Sequence, residues 1–203
     1  MQRYDRGTAL VIVDLQNDFA DPAGSLAVHG GGNLVPIINA EIAMARANEA
    51  TIVFTQDWHP ESTPHFANDG GPWPVHCVAG TWGAELHPDV DAEAATTAHR
   101  VHKGASGEDG YSGFTMRDPT TGQTTPTELA GVLRDAAIER LVICGLATDY
   151  CVKATALDAA RLGFETAILL DAMRPVELNR GDEQRALEEM TAAGIHSWST
   201  RMR

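Results

Sequence analysis

The chain alternates between short, uninterrupted apolar runs and longer segments in which apolar residues recur every three or four positions. The run at 9–13 (ALVIV) stops at Asp14, the run at 51–55 (TIVFT) at Gln56 and Asp57, and the run at 165–170 (ETAILL) at Asp171. A further run at 141–143 (LVI) leads into a turn at 145–148. Such runs read as strands buried on both faces. Between them, 34–48 carries Leu34, Ile37, Ile38, Ile42 and Ala45 at helical spacing, with Pro36 in the first turn where its missing N–H is tolerated. Segments 126–138, 149–163 and 180–193 read as helices, the last stopped by Gly194. Segment 98–103 alternates weakly, as an edge strand would, and 195–200 supplies a last strand. The expected fold class is α/β: a three-layer, doubly wound fold with a mostly parallel six-stranded sheet and helices on both faces. A chain of 203 residues without repeat or linker is expected to form one domain over 1–203.

Two segments break this rhythm. Residues 58–96 are rich in Pro, Gly, His and Trp, and 104–125 in Gly, Ser and Thr. Connections of that length inside a compact domain are usually functional or disordered. Trp58, Phe66, Trp73 and Trp82 give the first too much aromatic content for disorder, so something must anchor it.

Charge narrows the partners. With 28 acidic against 15 basic residues the formal charge is −13, which argues against nucleic acid or an anionic membrane surface. No apolar run approaches the about 20 residues of a membrane span, and the N-terminus lacks the grammar of a signal peptide. Three cysteines without a CxxC pair give no disulfide framework, and the expected compartment is a reducing cytoplasm. A small-molecule substrate is the expected partner, and a monomer or small homo-oligomer the expected state.

The candidate chemistry lies where strands stop. Cys151 falls at or near the first turn of the 149–163 helix, beyond the end of a strand. A helix N-terminus offers N–H groups that favour a thiolate and an oxyanion, and open α/β sheets place ligands at the carboxyl ends of their strands. A buried, space-filling cysteine is the bland alternative. Asp14 ends the first strand and Lys103 the weak third one, so parallel neighbours would bring all three side chains to one rim. There Asp14 would move the proton of the Cys151 nucleophile, and Lys103 would lower the thiol pKa. Taken singly, Asp14 could instead cap a turn and Lys103 could be a solvated edge charge. Asp57, His59, His65 and His76 cluster within 20 residues, a donor set suited to one divalent Zn, Fe or Mn ion. Solvated loop histidines remain the alternative, since His29, His87, His99, His102 and His196 occur elsewhere.

The motifs VIVDLQNDF (11–19), GSLAV (24–28), TQDWHP (55–60), WPVHCVAGTWGAELHP (73–88), HKGASGEDGYSGF (102–114) and GLATDYC (145–151) together resemble the nicotinamidase/pyrazinamidase branch of the isochorismatase-like cysteine hydrolases. The resemblance spans about 8–170. It implies an Asp14, Lys103 and Cys151 triad and a metal on Asp57, His59 and His76, with His65 matching a fourth ligand of some members. It also implies an oxyanion hole at Ala147 and Cys151 beside a non-proline cis peptide at Leu146–Ala147. Phe19, Trp73 and Tyr111 would wall the substrate ring, with Leu146 and Tyr150 beside them. The implied reaction is hydrolysis of nicotinamide, and of pyrazinamide, to the acid and ammonia through a thioester, in NAD salvage. Under that reading the metal grips the ring nitrogen. Tyr150 stands where some relatives carry His, and the 104–110 turn has an extra residue, which bears on ring-substituent preference. A related amide or carbamoyl hydrolase, a vinyl-ether hydrolase of the same superfamily, and a non-catalytic ligand-binding module are the competing readings.

Overall fold

The computed structural model describes residues 3–200, so the ends of the expected 1–203 unit lie outside the described residues. In chain order the elements are β1 (Thr8–Val13), α1 (Asn17–Ala20), α2 (Val35–Ala47), β2 (Thr51–Asp57), α3 (Ala92–Thr97), β3 (His99–Lys103), β4 (Thr115–Arg117), β5 (Thr124–Pro126), α4 (Leu129–Asp135), β6 (Arg140–Leu146), α5 (Lys153–Arg161), β7 (Glu165–Arg174), α6 (Asp182–Ala192) and β8 (His196–Trp198). Six strands form one sheet in the order β3-β2-β1-β6-β7-β8, and every pairing in it is parallel.

Alternation along β1 builds the two cores. Leu10 and Ile12 pack on one face with Ile38, Ile42 and Ala45 of α2. Ala9, Val11 and Val13 pack on the other with Leu129 and Leu133 of α4, Ala156 and Ala159 of α5, and Met190 of α6. All six β1 residues are buried, which is why the strand reads as a continuous apolar run rather than an alternating one. Truncating a side chain such as Ile38 to Ala would cost about 2–5 kcal/mol in lost burial and a residual cavity.

The chain runs outward from β1 in both directions, through β2 to β3 and through β6 to β8. The sheet therefore reverses its order between β1 and β6. At such a switch point the connections leave on opposite faces and open a crevice beyond the strand ends. Asp14 and the turn after Leu146 sit at that point.

Several predicted boundaries move. The 126–138 helix contracts to α4, because Pro126 is drawn into the β4–β5 hairpin opposite Thr115. Thr127, just before the helix, accepts from Leu129 N through its Oγ1 at 3.2 Å. The strand expected at 165–170 continues to Arg174 across a register shift opposite Ile143 and Gly145. On its other side Gly145, at φ +114°, approaches β1 so closely that a Cβ would lie 2.1 Å from the Val13 carbonyl oxygen, so only glycine fits there. The last strand shortens to β8. The 58–96 connection is ordered by short 3₁₀ turns, Ala67–Asp69 and Trp82–Ala84, and by α3. No helix among the described residues is long and apolar enough to cross a membrane.

Candidate active site

The register of the parallel strands carries three predicted residues to one place. Asp57 is level with Lys103, and Val13, just before Asp14, is level with Thr55. Asp14 leaves β1 at φ +48°, an uncommon conformation for a non-glycine residue and one that accumulates at functional sites. Lys103 is fully buried. Its Nζ donates to Asp14 Oδ2 at 2.7 Å and to the Gly110 carbonyl, and lies 2.7 Å from Asp57 Oδ1. Thr55 Oγ1 donates to the other Asp14 oxygen at 2.6 Å.

Cys151 enters from the opposite side of the switch point. The helix expected from 149 begins as a π-helical turn, Thr148–Val152, and becomes α-helical at Lys153. That wider turn holds Cys151 at the rim, with its Sγ and one carboxylate oxygen each of Asp14 and Asp57 all within 4.8 Å of one another. The Leu146–Ala147 peptide is cis, and Ala147 lines the same cavity as Cys151.

Burial pushes the Asp14 carboxyl up to about 6, against the pull of Lys103. Burial also pushes the Cys151 thiol well above its usual range. Lys103 lowers it, as the sequence suggested, but does not win, because Asp14 and Asp57 reinforce the rise. The sulfur therefore rests as a thiol beside a carboxyl that burial has raised to about 6. A buried thiol beside a carboxylate is an arrangement in which the carboxylate can take the thiol proton as the sulfur attacks.

Next to this trio lie the predicted metal residues. Asp57 Oδ2 is 3.8 Å from Nε2 of His59 and 3.8 Å from Nε2 of His76. One ring nitrogen each of His59, His65 and His76 also falls within 4.8 Å of the others, and all three rings are buried. Burial lowers His76 to about 4, which keeps its ring neutral. Burial raises the Asp57 carboxyl, but the Lys103 ammonium beside it outweighs that and, with His59, holds it ionised. His76 Nδ1 lies 2.7 Å from the Pro74 carbonyl and His65 Nδ1 2.9 Å from Asp109 Oδ1, which leaves Nε2 of each as the free nitrogen. Both ring nitrogens of His59 are buried without a hydrogen-bond partner among the described residues. Orphaned buried nitrogens beside a carboxylate and two further imidazoles fit a divalent cation.

The Asp57, His65, His76 and Cys151 side chains open into one cavity of about 430 Å³, its mouth included. All five predicted aromatic and apolar wall residues, Phe19, Trp73, Tyr111, Leu146 and Tyr150, line it. Trp73 meets Tyr150 edge-on at 4.9 Å, and its Nε1–H donates to the Tyr111 hydroxyl at 2.8 Å. The wall also includes Leu26, Val28 and Val176, to which sequence reasoning gave no role.

Supporting residues were likewise missed. The Gln16 side chain clasps the Asp57 backbone, accepting from its N–H and donating to its carbonyl, each at 2.8 Å. Asp18 accepts from Cys77 N at 2.7 Å and Ser25 N at 3.0 Å, joining the turn after His76 to the wall that carries Leu26. Asp149 accepts from Val176 N and Glu177 N at 2.9 and 2.8 Å, fixing Val176 against the turn that holds Cys151. Each stands inside a motif (QNDF or ATDYC), but its partner is a distant backbone amide that no spacing announces.

The model of the Isochorismatase domain matches residues 8–201 of this chain. The nicotinamidase of Acinetobacter baylyi is 39% identical, over 95% of this chain and 92% of its own. The solved pyrazinamidase of Pyrococcus horikoshii, in complex with zinc, is 42% identical with a TM-score of 0.82 over 95% of this chain and 99% of its own. The PnC1 protein of L. infantum, in complex with nicotinate, is 36% identical with a TM-score of 0.86, covering 96% of this chain and 93% of its own.

Proposed function

The chain belongs to the isochorismatase family, and from that premise we propose that it is a nicotinamidase: a cysteine amidohydrolase that converts nicotinamide, and pyrazinamide, to the free acid and ammonia. One observation carries the reading. A buried Asp–Lys–Cys trio and a His–His–His–Asp donor set adjoin at one aromatic-walled cavity, into which Cys151, Asp57, His65 and His76 open, with Lys103 touching both Asp14 and Asp57 behind it. Relatives of this kind act on nicotinamide or hold zinc or nicotinate, and these likenesses support the assignment.

The residues divide the work as follows. Phe19, Trp73, Tyr111, Leu146 and Tyr150 take the flat ring, which leaves the carboxamide facing Cys151. Asp14, ionised above about pH 6, accepts the thiol proton as sulfur attacks the carbonyl carbon. The thiol's raised pKa makes this transfer necessary. Backbone N–H groups of Ala147 and Cys151 receive the developing oxyanion. Asp14 then returns the proton to the departing amine, so ammonia leaves and a thioester on Cys151 remains. Water, deprotonated by Asp14, attacks the thioester. The carboxylic acid departs and the thiol is restored. Lys103 holds the Asp14 carboxylate in place throughout. A divalent ion on Asp57, His59, His65 and His76, with zinc favoured by the bound pyrazinamidase relative, would offer a Lewis-acid contact for the ring nitrogen.

The test is ammonia release from nicotinamide by the wild type and by Cys151→Ala, with and without a chelator. The wild type should turn over, the variant should not, and chelation should suppress activity until a divalent ion is returned. Turnover undiminished in Cys151→Ala would refute the assignment.

A further inference from the structure

The turn at 107–111 touches almost every part of the site. Gly107 accepts from Thr63 Oγ1 at 2.8 Å, the Gly110 carbonyl accepts from Lys103 Nζ, and the Tyr111 hydroxyl accepts from Trp73. Asp109 sits among these contacts and is 8% exposed. Its Oδ1 lies 2.9 Å from His65 Nδ1, and its Oδ2 lies 3.6 Å from an Arg117 guanidinium nitrogen. Its backbone N–H donates to the Arg117 carbonyl at 2.7 Å, and its carbonyl accepts from Arg117 N at 3.4 Å. The β4–β5 hairpin therefore holds Asp109 by its backbone, and Asp109 holds His65 by its side chain.

We propose that Asp109 is a positioning residue for the metal site, fixing the tautomer and rotation of His65 and so tying the second long loop to the ion. This rests on the reading of the His–His–His–Asp cluster as a metal site. A carboxylate only accepts hydrogen bonds, so the short contact puts the imidazole hydrogen on Nδ1 and leaves the lone pair on Nε2. Without that contact the ring is free to rotate and to take the other tautomer. His76 receives the same treatment from the Pro74 carbonyl at 2.7 Å. The His65 ring packs 4.8 Å from His59 and 5.5 Å from His76, centroid to centroid, so a fixed ring delivers its nitrogen to theirs. Outer partners of this kind are worth about 10–100-fold in metal affinity. Both Trp73 and His65 ride on the loop that this turn grips, so a secured His65 also steadies one wall of the cavity.

The experiment is zinc affinity by competition with a chromogenic chelator, on wild type, Asp109→Ala, Asp109→Asn, His65→Ala and the Asp109→Ala/His65→Ala pair. Asp109→Ala should weaken zinc binding by about 10–100-fold. Asp109→Asn should recover most of that, because its amide oxygen still accepts from Nδ1. In the His65→Ala background, Asp109→Ala should cost nothing further. The cobalt-loaded Asp109→Ala protein should also show an altered visible spectrum. Equal zinc affinity in wild type and Asp109→Ala would overturn the inference alone, as would an undiminished loss in the His65→Ala background. Failure of the wild type to bind stoichiometric zinc would overturn the metal reading and the inference with it. If the alanine variant does not fold, nitrogen-15 ring shifts of wild-type His65 decide the matter. Hydrogen on Nδ1 is required, and hydrogen on Nε2 overturns the proposal.

Discussion

Replacing Lys103 by Met removes one charge from the centre of the site while keeping the length of the side chain. The ammonium is fully buried, 2.7 Å from an oxygen of Asp14 and 2.7 Å from an oxygen of Asp57. At an effective dielectric of about 20, each contact is about 6 kcal/mol of gross Coulomb attraction. Desolvation cancels most of it, and removing one partner from such a buried cluster costs about 3–5 kcal/mol net. For a chain of this size that lowers Tm by about 6–20 °C. The two carboxylates would then face each other without a cation, and one must take up a proton. Asp14, already at about 6, is the one that does. Its folded pKa lies above its unfolded value, so the proton-bound form is the one that folding favours. In the wild type the Lys103–Asp14 attraction is present when Asp14 is ionised and lost as pH falls through the folded pKa. The gap between wild type and Lys103→Met should therefore be widest near pH 8 and narrow toward about pH 5. Activity should collapse at neutral pH, because a protonated Asp14 cannot accept the thiol proton. Thermal melts of chelated protein across that range, beside ammonia release by the metal-loaded form, check both parts. A variant that melts with the wild type at neutral pH would refute the electrostatic account of the trio.

The acid limb of kcat/KM should report Asp14, with activity falling below about pH 6. Thr55→Val, which removes the 2.6 Å bond favouring its ionised form, should move that limb upward. Iodoacetamide should label Cys151 before Cys77 or Cys144, which are fully buried. Labelling should be slow at neutral pH and quicken as pH rises, because the thiol is pushed up by burial. Peptide mapping checks this, and modification of Cys144 in step with inactivation would contradict it. Benzamide, which lacks the ring nitrogen, should be slower than nicotinamide by about two orders of magnitude in kcat/KM, because orientation is lost while the scissile amide is kept. Equal values would mean that Asp57, His59 and His76 only staple their loop.

How far the sequence reaches depends on whether a residue's partner is local. The runs ending at Asp14 and Asp57 reveal both strand and rim residue, because a buried parallel strand leaves no other pattern and its end is where polarity resumes, whereas Lys103 closes an exposed edge strand legible only as a weak alternation. Cys151 is legible for the same reason. The π-helical turn that aims it is not, since an extra residue in a helical turn leaves the apolar spacing nearly unchanged. The β4–β5 hairpin is missed because its strands are only three residues long, half-buried in β4 and exposed in β5, and carry a single apolar side chain besides Pro126, Met116, rather than apolar alternation. Gln16, Asp109 and Asp149 act on backbone or side chains at least 27 positions away, contacts that exist only once the sheet has assembled.

In the proposed reaction amide cleavage passes through an acyl group on Cys151, and hydroxylamine partitioning tests for that intermediate. A thioester on Cys151 is open to any nucleophile that reaches the cavity. With nicotinamide as substrate, rising hydroxylamine should divert product from nicotinate to the hydroxamate while ammonia release continues, and Cys151→Ala should form neither. Ammonia release that continues with nicotinate as the sole product at saturating hydroxylamine would mean that water attacks the amide directly, and the account built on Cys151 would be wrong.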